Sequence, residues 1–188
     1  MADPSAPGAT GAEQVRELLA KQAIRELLHA YSRAVDRKDF ALLATLYTPD
    51  GSDDHAGLYA GPAAGYVEWL RAAMKAVDLT AHQVHQAAIA VRGGFAEGEV
   101  YVTAYNRLHA AGGRFEELVQ GLRYLDRYRE DDGVWRFLHR SVVVDWARRG
   151  PAFAAALRPR HDGQRDGVAG AGDPSYHLLQ DGAFARRD

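Results

Sequence analysis

Hydrophobic positions in the first part of the chain recur at helical spacing. Val15, Leu18, Leu19, Ile24, Leu27, Leu28, Tyr31 and Val35 fall on one face of an amphipathic helix that starts at Glu13 and ends near Asp36. The charged stretch Arg37-Lys38-Asp39 breaks the pattern, and Asp39 can cap the next helix. Phe40 to Tyr47 predicts a short second helix, stopped by Thr48-Pro49-Asp50-Gly51, a strong turn signal. A third helix fits Pro62 to Val77, with the proline in the first turn, where it costs no hydrogen bond.

After Asp78 the period switches from helical to alternating. Residues 81–91, 97–110, 114–129 and 134–147 predict four long strands, separated by Gly93-Gly94, Gly112-Gly113 and Asp131-Asp132-Gly133, an antiparallel meander by its tight connections. Helices followed by strands indicate an α+β domain, with the helices covering one face of a curved sheet. The domain spans residues 13–147. A leader of small residues, 1–12, has no apolar period and is expected to be disordered. Residues 148–188, rich in Gly, Arg, Asp and Pro, are expected to form an irregular or flexible extension.

Strict alternation sorts side chains by face. It groups His82 with Val84, Gln86 and Ala88, and His85 with Ala87, Ile89 and Val91. It groups Arg140 with Leu138, Val142 and Val144, and Trp135 with Phe137, His139, Ser141 and Val143. Both faces are substantially apolar, so one is expected to enclose a cavity beneath the helices and the other to meet a second subunit, giving a homodimer or larger homo-oligomer.

Composition narrows the function. The chain has 188 residues, 47% hydrophobic and 26% charged, with a formal net charge of -2; no basic field draws a nucleic acid. The absence of cysteine removes disulfides, thiolate metal sites and a cysteine nucleophile. The N-terminus lacks signal-peptide order and no apolar run reaches a bilayer span, so a cytoplasmic protein without membrane contact is expected.

Candidate chemistry centres on three residues. Tyr31 and Asp36 close the first helix, five residues apart and so on different faces of an ideal turn. Asp36 is either a solvated helix-end acid or, where the helix frays, an inward carboxylate. His82 opens the first long strand and is either a hydrogen-bonded structural residue or a base whose tautomer a carboxylate fixes. His82 and His85 cannot share a metal ion across an unbroken strand. Asp50, Asp53, Asp54 and His55 have neither calcium-loop nor zinc spacing and are read as a polar loop, so no metal and no cofactor is expected. Gly57-Leu58-Tyr59-Ala60-Gly61 lacks the lysine of a phosphate loop, and no G-x-S-x-G element occurs.

Several segments in order resemble one family. Ala30-Tyr31-x-x-Ala34-Val35-Asp36-x-x-Asp39-Phe40, Leu46-Tyr47-Thr48-Pro49-Asp50-Gly51, Thr80-Ala81-His82-Gln83-Val84 and Gly133-Val134-Trp135-Arg136-Phe137-Leu138-His139-Arg140, running on to Val144-Asp145-Trp146, resemble SnoaL-like proteins of the nuclear-transport-factor-2-like superfamily. The resemblance covers about residues 14–147 and is similar to bile-acid dehydratase, scytalone dehydratase and hexachlorocyclohexane dehydrochlorinase; Gln86 stands where the family often has Asn. It implies a cone-shaped α+β barrel, three N-terminal helices on a strongly curved mixed or antiparallel sheet around a pocket. It implies a cofactor-independent lyase of dehydratase type, or an isomerase, acting on a hydrophobic polycyclic or polyketide-like molecule. Carried over by position, Asp36 orients the base His82, Tyr31 polarises a carbonyl or assists a leaving group, and Arg140 stabilises developing negative charge. Asn106 joins the pocket as a polar residue, and Tyr47, Tyr59, Trp69, Leu118, Leu122 and Tyr124 are expected to shape it. Tyr176-His177 in the extension is placed either over the pocket or in disorder. The superfamily leaves open a polyketide cyclase performing an aldol closure, and a ligand-binding or assembly module without turnover.

Overall fold

A computed structural model describes residues 10–152 and 165–179. Helix α1 (Gly11–Asp36) begins two residues before the expected start because Thr10 and Glu13 form a reciprocal cap, in which each side chain bonds the other's backbone N–H. Ile24, Leu27, Leu28, Tyr31 and Val35 bury the stripe, whereas Val15, Leu18 and Leu19 stay exposed. The remainder of the expected leader, residues 1–9, lies outside the described residues.

Asp39 caps α2 (Phe40–Thr45), its Oδ1 accepting from the Leu42 N–H at 2.9 Å. The expected turn after α2 is not a turn. Residues Tyr47–His55 form strand β1, parallel to the last strand, β6 (Val134–Pro151). Tyr47 pairs with Phe137 and Ser52 with His139, so five steps along β1 oppose two along β6. Thr48-Pro49-Asp50-Gly51 is thus an irregularity within a strand, and its bend carries the chain onward along the same edge. The expected polar loop is likewise strand: alternation buries Asp53, exposes Asp54 and turns Asp50 to Arg129.

Strand β2 (Ala60–Pro62) pairs antiparallel with β1, and α3 (Ala63–Ala73) ends in a short 3₁₀ turn, Met74–Ala76. The expected meander comes next as β3 (Val77–Arg92), β4 (Phe95–His109), β5 (Phe115–Asp131) and β6. The sheet order is β2-β1-β6-β5-β4-β3, antiparallel except for β1 with β6. The fold is therefore α+β, with α1 packed on β3 and β6 and α3 on β1. The six-stranded sheet curves without closing on itself.

Bulges correct the expected faces. Between Val84↔Val102 and Ala87↔Val100, two residues of β3 oppose one of β4. His82 and Val84 consequently share the covered face with Ala87, Ile89 and Val91, while Gln86 and Ala88 turn outward. In β6 the register moves from Phe137↔Tyr128 to His139↔Arg127, leaving Leu138 as the extra residue. Trp135 and Phe137 thereby face inward together with Arg140 and Val142.

Of the C-terminal extension, residues 148–151 continue β6 and residues 165–179 form a strap ending in the single-turn α4 (Ser175–Leu178). Tyr176 Oη donates to Asp39 Oδ2 at 3.0 Å, and the Gly170 N–H donates to the Arg37 carbonyl at 2.7 Å. The strap therefore lies against the α1–α2 junction. Residues 153–164 and 180–188 lie outside the described residues. Among the described residues no helix is long and apolar enough to cross a membrane.

Candidate active site

Asp36 is the last residue of α1, and the turn after it determines where its carboxylate goes. Lys38 adopts a positive φ of 54° and donates from Nζ to the carbonyls of Met74 and Val77, tying the helix end to the start of β3. This brings Asp36 to His82, the sixth residue of that strand. Its Oδ2 accepts the His82 backbone N–H at 2.9 Å, and its Oδ1 lies 2.6 Å from His82 Nδ1. A carboxylate only accepts, so Nδ1 carries the proton, and in the neutral ring Nε2 presents its lone pair. Both side chains keep a little solvent contact, 11% for His82 and 14% for Asp36. They line a cleft of about 310 Å³ with His29, Ser32, Arg33, Arg37 and Val84.

Tyr31 and Arg140 do not line that cleft; they meet deeper, inside the curved sheet. Arg140 is wholly buried and makes a bidentate pair with Asp126, its direct cross-strand neighbour, at 2.7 Å for both bonds. Tyr128 Oη donates to the same carboxylate at 2.8 Å. The rings of Tyr31, Tyr124 and Phe137 surround the guanidinium at 4.0–4.2 Å. Burial works against its charge, but Asp126 outweighs that cost and holds the guanidinium's pKa well above its ordinary value. One nitrogen, Nη1, is buried without a hydrogen-bond partner among the described residues.

Tyr31 Oη lies 2.6 Å from Tyr66 Oη. Burial pushes the Tyr31 phenol up to about 12, against the pull of the Arg140 guanidinium, so it remains a proton donor. Tyr124 adjoins both regions: desolvation raises its phenol foremost, and the Asp36 carboxylate acts on it in the same direction.

The expected shaping residues divide among three places. Leu122 and Tyr124 face the buried interior, and Leu118 and Asn106 are half-buried cross-strand neighbours nearer the open end of the sheet. Tyr47 donates to the buried Asp53 at 2.6 Å, and Tyr59 and Trp69 pack with Tyr66 and His55 beside β1. His55 Nδ1 lies 3.2 Å from Asp53 Oδ1. Sequence reasoning missed Asp126, although inward alternation with Leu122, Tyr124 and Tyr128 marks it; it also missed Tyr66 and the Asp53–His55 pair, hidden in a segment read as loop. His29, Arg33 and Arg37 were missed because the cleft opens on the side of α1 away from its apolar stripe. Among the described residues, no three His, Cys, Asp or Glu side chains are grouped to hold a metal ion.

Known proteins share this frame. A Mycobacterium tuberculosis protein of uncharacterised function, Rv2910c, is 31% identical over 128 residues, covering 67% of this chain and 86% of its own. The crystal structure of hexachlorocyclohexane dehydrochlorinase LinA-type3 from Novosphingobium barchaimii superposes with a TM-score of 0.65 at 18% identity, covering 75% of this chain and 98% of that one. A scytalone-dehydratase-like protein of Novosphingobium aromaticivorans gives a TM-score of 0.63 at 19% identity, over 83% and 95% of the two chains. At those identities the structural likeness is one of fold. The model of the SnoaL-like domain matches residues 16–141, from the first turns of α1 through Asp36 and His82 to Arg140, and the chain belongs to that family.

Proposed function

We propose that this protein is a cofactor-independent lyase of dehydratase type, or an isomerase, in which His82 is the base and Asp36 its orienting carboxylate. The observation that carries the reading is the pair of hydrogen bonds that the Asp36 carboxylate accepts from His82, one oxygen on Nδ1 and the other on the backbone N–H. A structural histidine needs one partner; this one has its ring plane, tautomer and strand position all held by the same carboxylate. His82 Nε2 takes a proton from a carbon next to a carbonyl, and the C–H electron pair moves into the enolate. In elimination that pair forms the C=C bond and expels the β-oxygen, which leaves as water with the proton returned by His82. In isomerisation the same proton returns to a different carbon. The family resemblance and the fold shared with a dehydrochlorinase support chemistry on a small molecule.

Tyr31 and Arg140 serve this reading from the interior. Their aromatic surroundings keep a protonated phenol and a fixed positive charge behind the dyad, where they favour developing negative charge through the field rather than by contact. The test is turnover of a panel of β-hydroxy and β,γ-unsaturated carbonyl compounds, followed by mass spectrometry. Loss of water marks elimination and an unchanged mass with a new retention time marks isomerisation. His82→Ala and Asp36→Asn are expected to remove product; full turnover by both variants contradicts the dyad.

A further inference from the structure

The cleft beside His82 is polar and cationic. Two guanidiniums, Arg33 and Arg37, face it against the single lining carboxylate, Asp36, which His82 engages. The two arginines lie one helical turn apart at the end of α1, and both are engaged by the C-terminal strap. Arg37 Nε lies 3.2 Å from Asp173 Oδ2, and Arg33 Nη1 donates to Ser175 Oγ at 3.0 Å while its guanidinium lies 4.7 Å over the Tyr176 ring.

We propose that Arg37 and Arg33 form the anchor for an anionic group on the substrate, and that the Asp173 carboxylate occupies this anchor in the resting chain. This deepens the proposed function by naming a substrate class, an apolar body bearing a carboxylate or similar oxyanion, and it rests on that reading for the place of the reaction.

Three observations carry it. First, Asp173 is a carboxylate prepared for this place: its side chain is 4% exposed, and it accepts from the Val168 and Ser175 N–H groups and from Ser175 Oγ. Burial would raise its pKa, but these bonds and Arg37 win and hold it low. Second, its bond to Arg37 is poor. Arg37 Nε is buried yet makes no aligned hydrogen bond, whereas a free carboxylate can meet a guanidinium in the bidentate geometry that is stronger. Third, the strap is held mainly by polar contacts. Val168, Leu178 and Leu179 are all exposed, and the α4 turn buries none of its residues, so its hold depends on hydrogen bonds and an ion pair rather than on apolar burial.

The experiment uses the full chain and two probes that differ by one charge. 8-Anilino-1-naphthalenesulfonate carries a sulfonate; N-phenyl-1-naphthylamine is the same aromatic body without it. Fluorescence titration of the wild type, Arg37→Gln, Asp173→Asn and Tyr176→Phe reads the affinities, with circular dichroism confirming the fold of each. Arg37→Gln is expected to weaken the sulfonate about tenfold, and Asp173→Asn to strengthen it by a similar factor, as loss or release of one strong ion pair implies. Tyr176→Phe, which loosens the strap without touching its charge, is expected to strengthen it by a smaller factor. The neutral probe should change less than about twofold throughout. Equal shifts for both probes, or none for the sulfonate in Arg37→Gln and Asp173→Asn, overturn the proposal. His82→Gln is expected to leave sulfonate affinity in place while removing turnover, so the anchor and the dyad fail separately.

Discussion

Asp36 with His82, and Asp126 with Arg140, each join a carboxylate to a nitrogen base at 2.6–2.7 Å, yet one pair borders a cleft and the other is sealed. The sealed pair is formed across neighbouring strands, wrapped by Tyr31, Tyr124 and Phe137, and 0% exposed. A guanidinium so placed cannot give up its proton, and its carboxylate is fully engaged, so the pair acts by fixing charge and shape. The open pair joins the end of α1 to a residue five positions inside β3 and keeps one imidazole nitrogen uncommitted. Similar ingredients thus give a rigid interior in one place and, on the proposed function, a base in the other, and the difference lies in which atom is left without a partner.

The largest expected effect separates the two pairs by activity. His82→Ala should lower kcat by about 10²–10⁴-fold, the usual contribution of a positioned general base, with the melting temperature nearly unchanged. Asp126→Ala should do the reverse in kind. It strands a buried guanidinium and is expected to cost about 3–5 kcal/mol of stability, measured by urea unfolding. If the two variants showed the same pattern, the distinction between a working pair and a supporting pair would fail.

Alkaline titration sharpens the comparison. Of nine tyrosines, burial raises the phenols of Tyr31, Tyr47, Tyr66, Tyr124 and Tyr128 in the interior, and of Tyr176 on the strap, above the ordinary value of 10. A pKa raised by folding favours the protonated folded chain: its contribution is intact below pH 10 and is lost as pH rises from 10 towards the folded value, about 12 for Tyr31. Phenolate absorbance should therefore rise in two stages, the second coinciding with unfolding; a single stage with the fold intact would show an open interior. The smallest effect belongs to Tyr31→Phe, which leaves Tyr66 with an unanswered hydroxyl. It is expected to cost about 1–3 kcal/mol of stability, with a smaller loss of turnover than His82→Ala.

Much of this architecture is legible in local patterns, because a helix stripe and a strand alternation need no partner to be seen. The long first helix, the Asp39 cap and the four-stranded meander emerge from such signals. Strand β1 does not, since Thr48-Pro49-Asp50-Gly51 carries turn chemistry inside a strand whose partner lies some ninety residues away. Strict alternation misassigns the faces of β3 and β6 beyond their bulges for a related reason: one extra residue, such as Leu138, reverses every later position. Placing His82 beside Asp36 depends on family resemblance, because a helix end and a strand residue 46 positions apart share no periodic signal. The Asp126–Arg140 pair requires the strand register, and the strap on Arg37 requires tertiary structure altogether.

The central claim, that Asp36 presets His82 as a base, can be read without any substrate. In ¹⁵N-resolved NMR of the imidazole at a pH where His82 is neutral, the account predicts a proton on Nδ1, strongly deshielded by its short bond to Asp36, and an unprotonated Nε2. Asp36→Asn should abolish that deshielding. A neutral ring protonated on Nε2, or a spectrum unchanged by Asp36→Asn, would contradict the account.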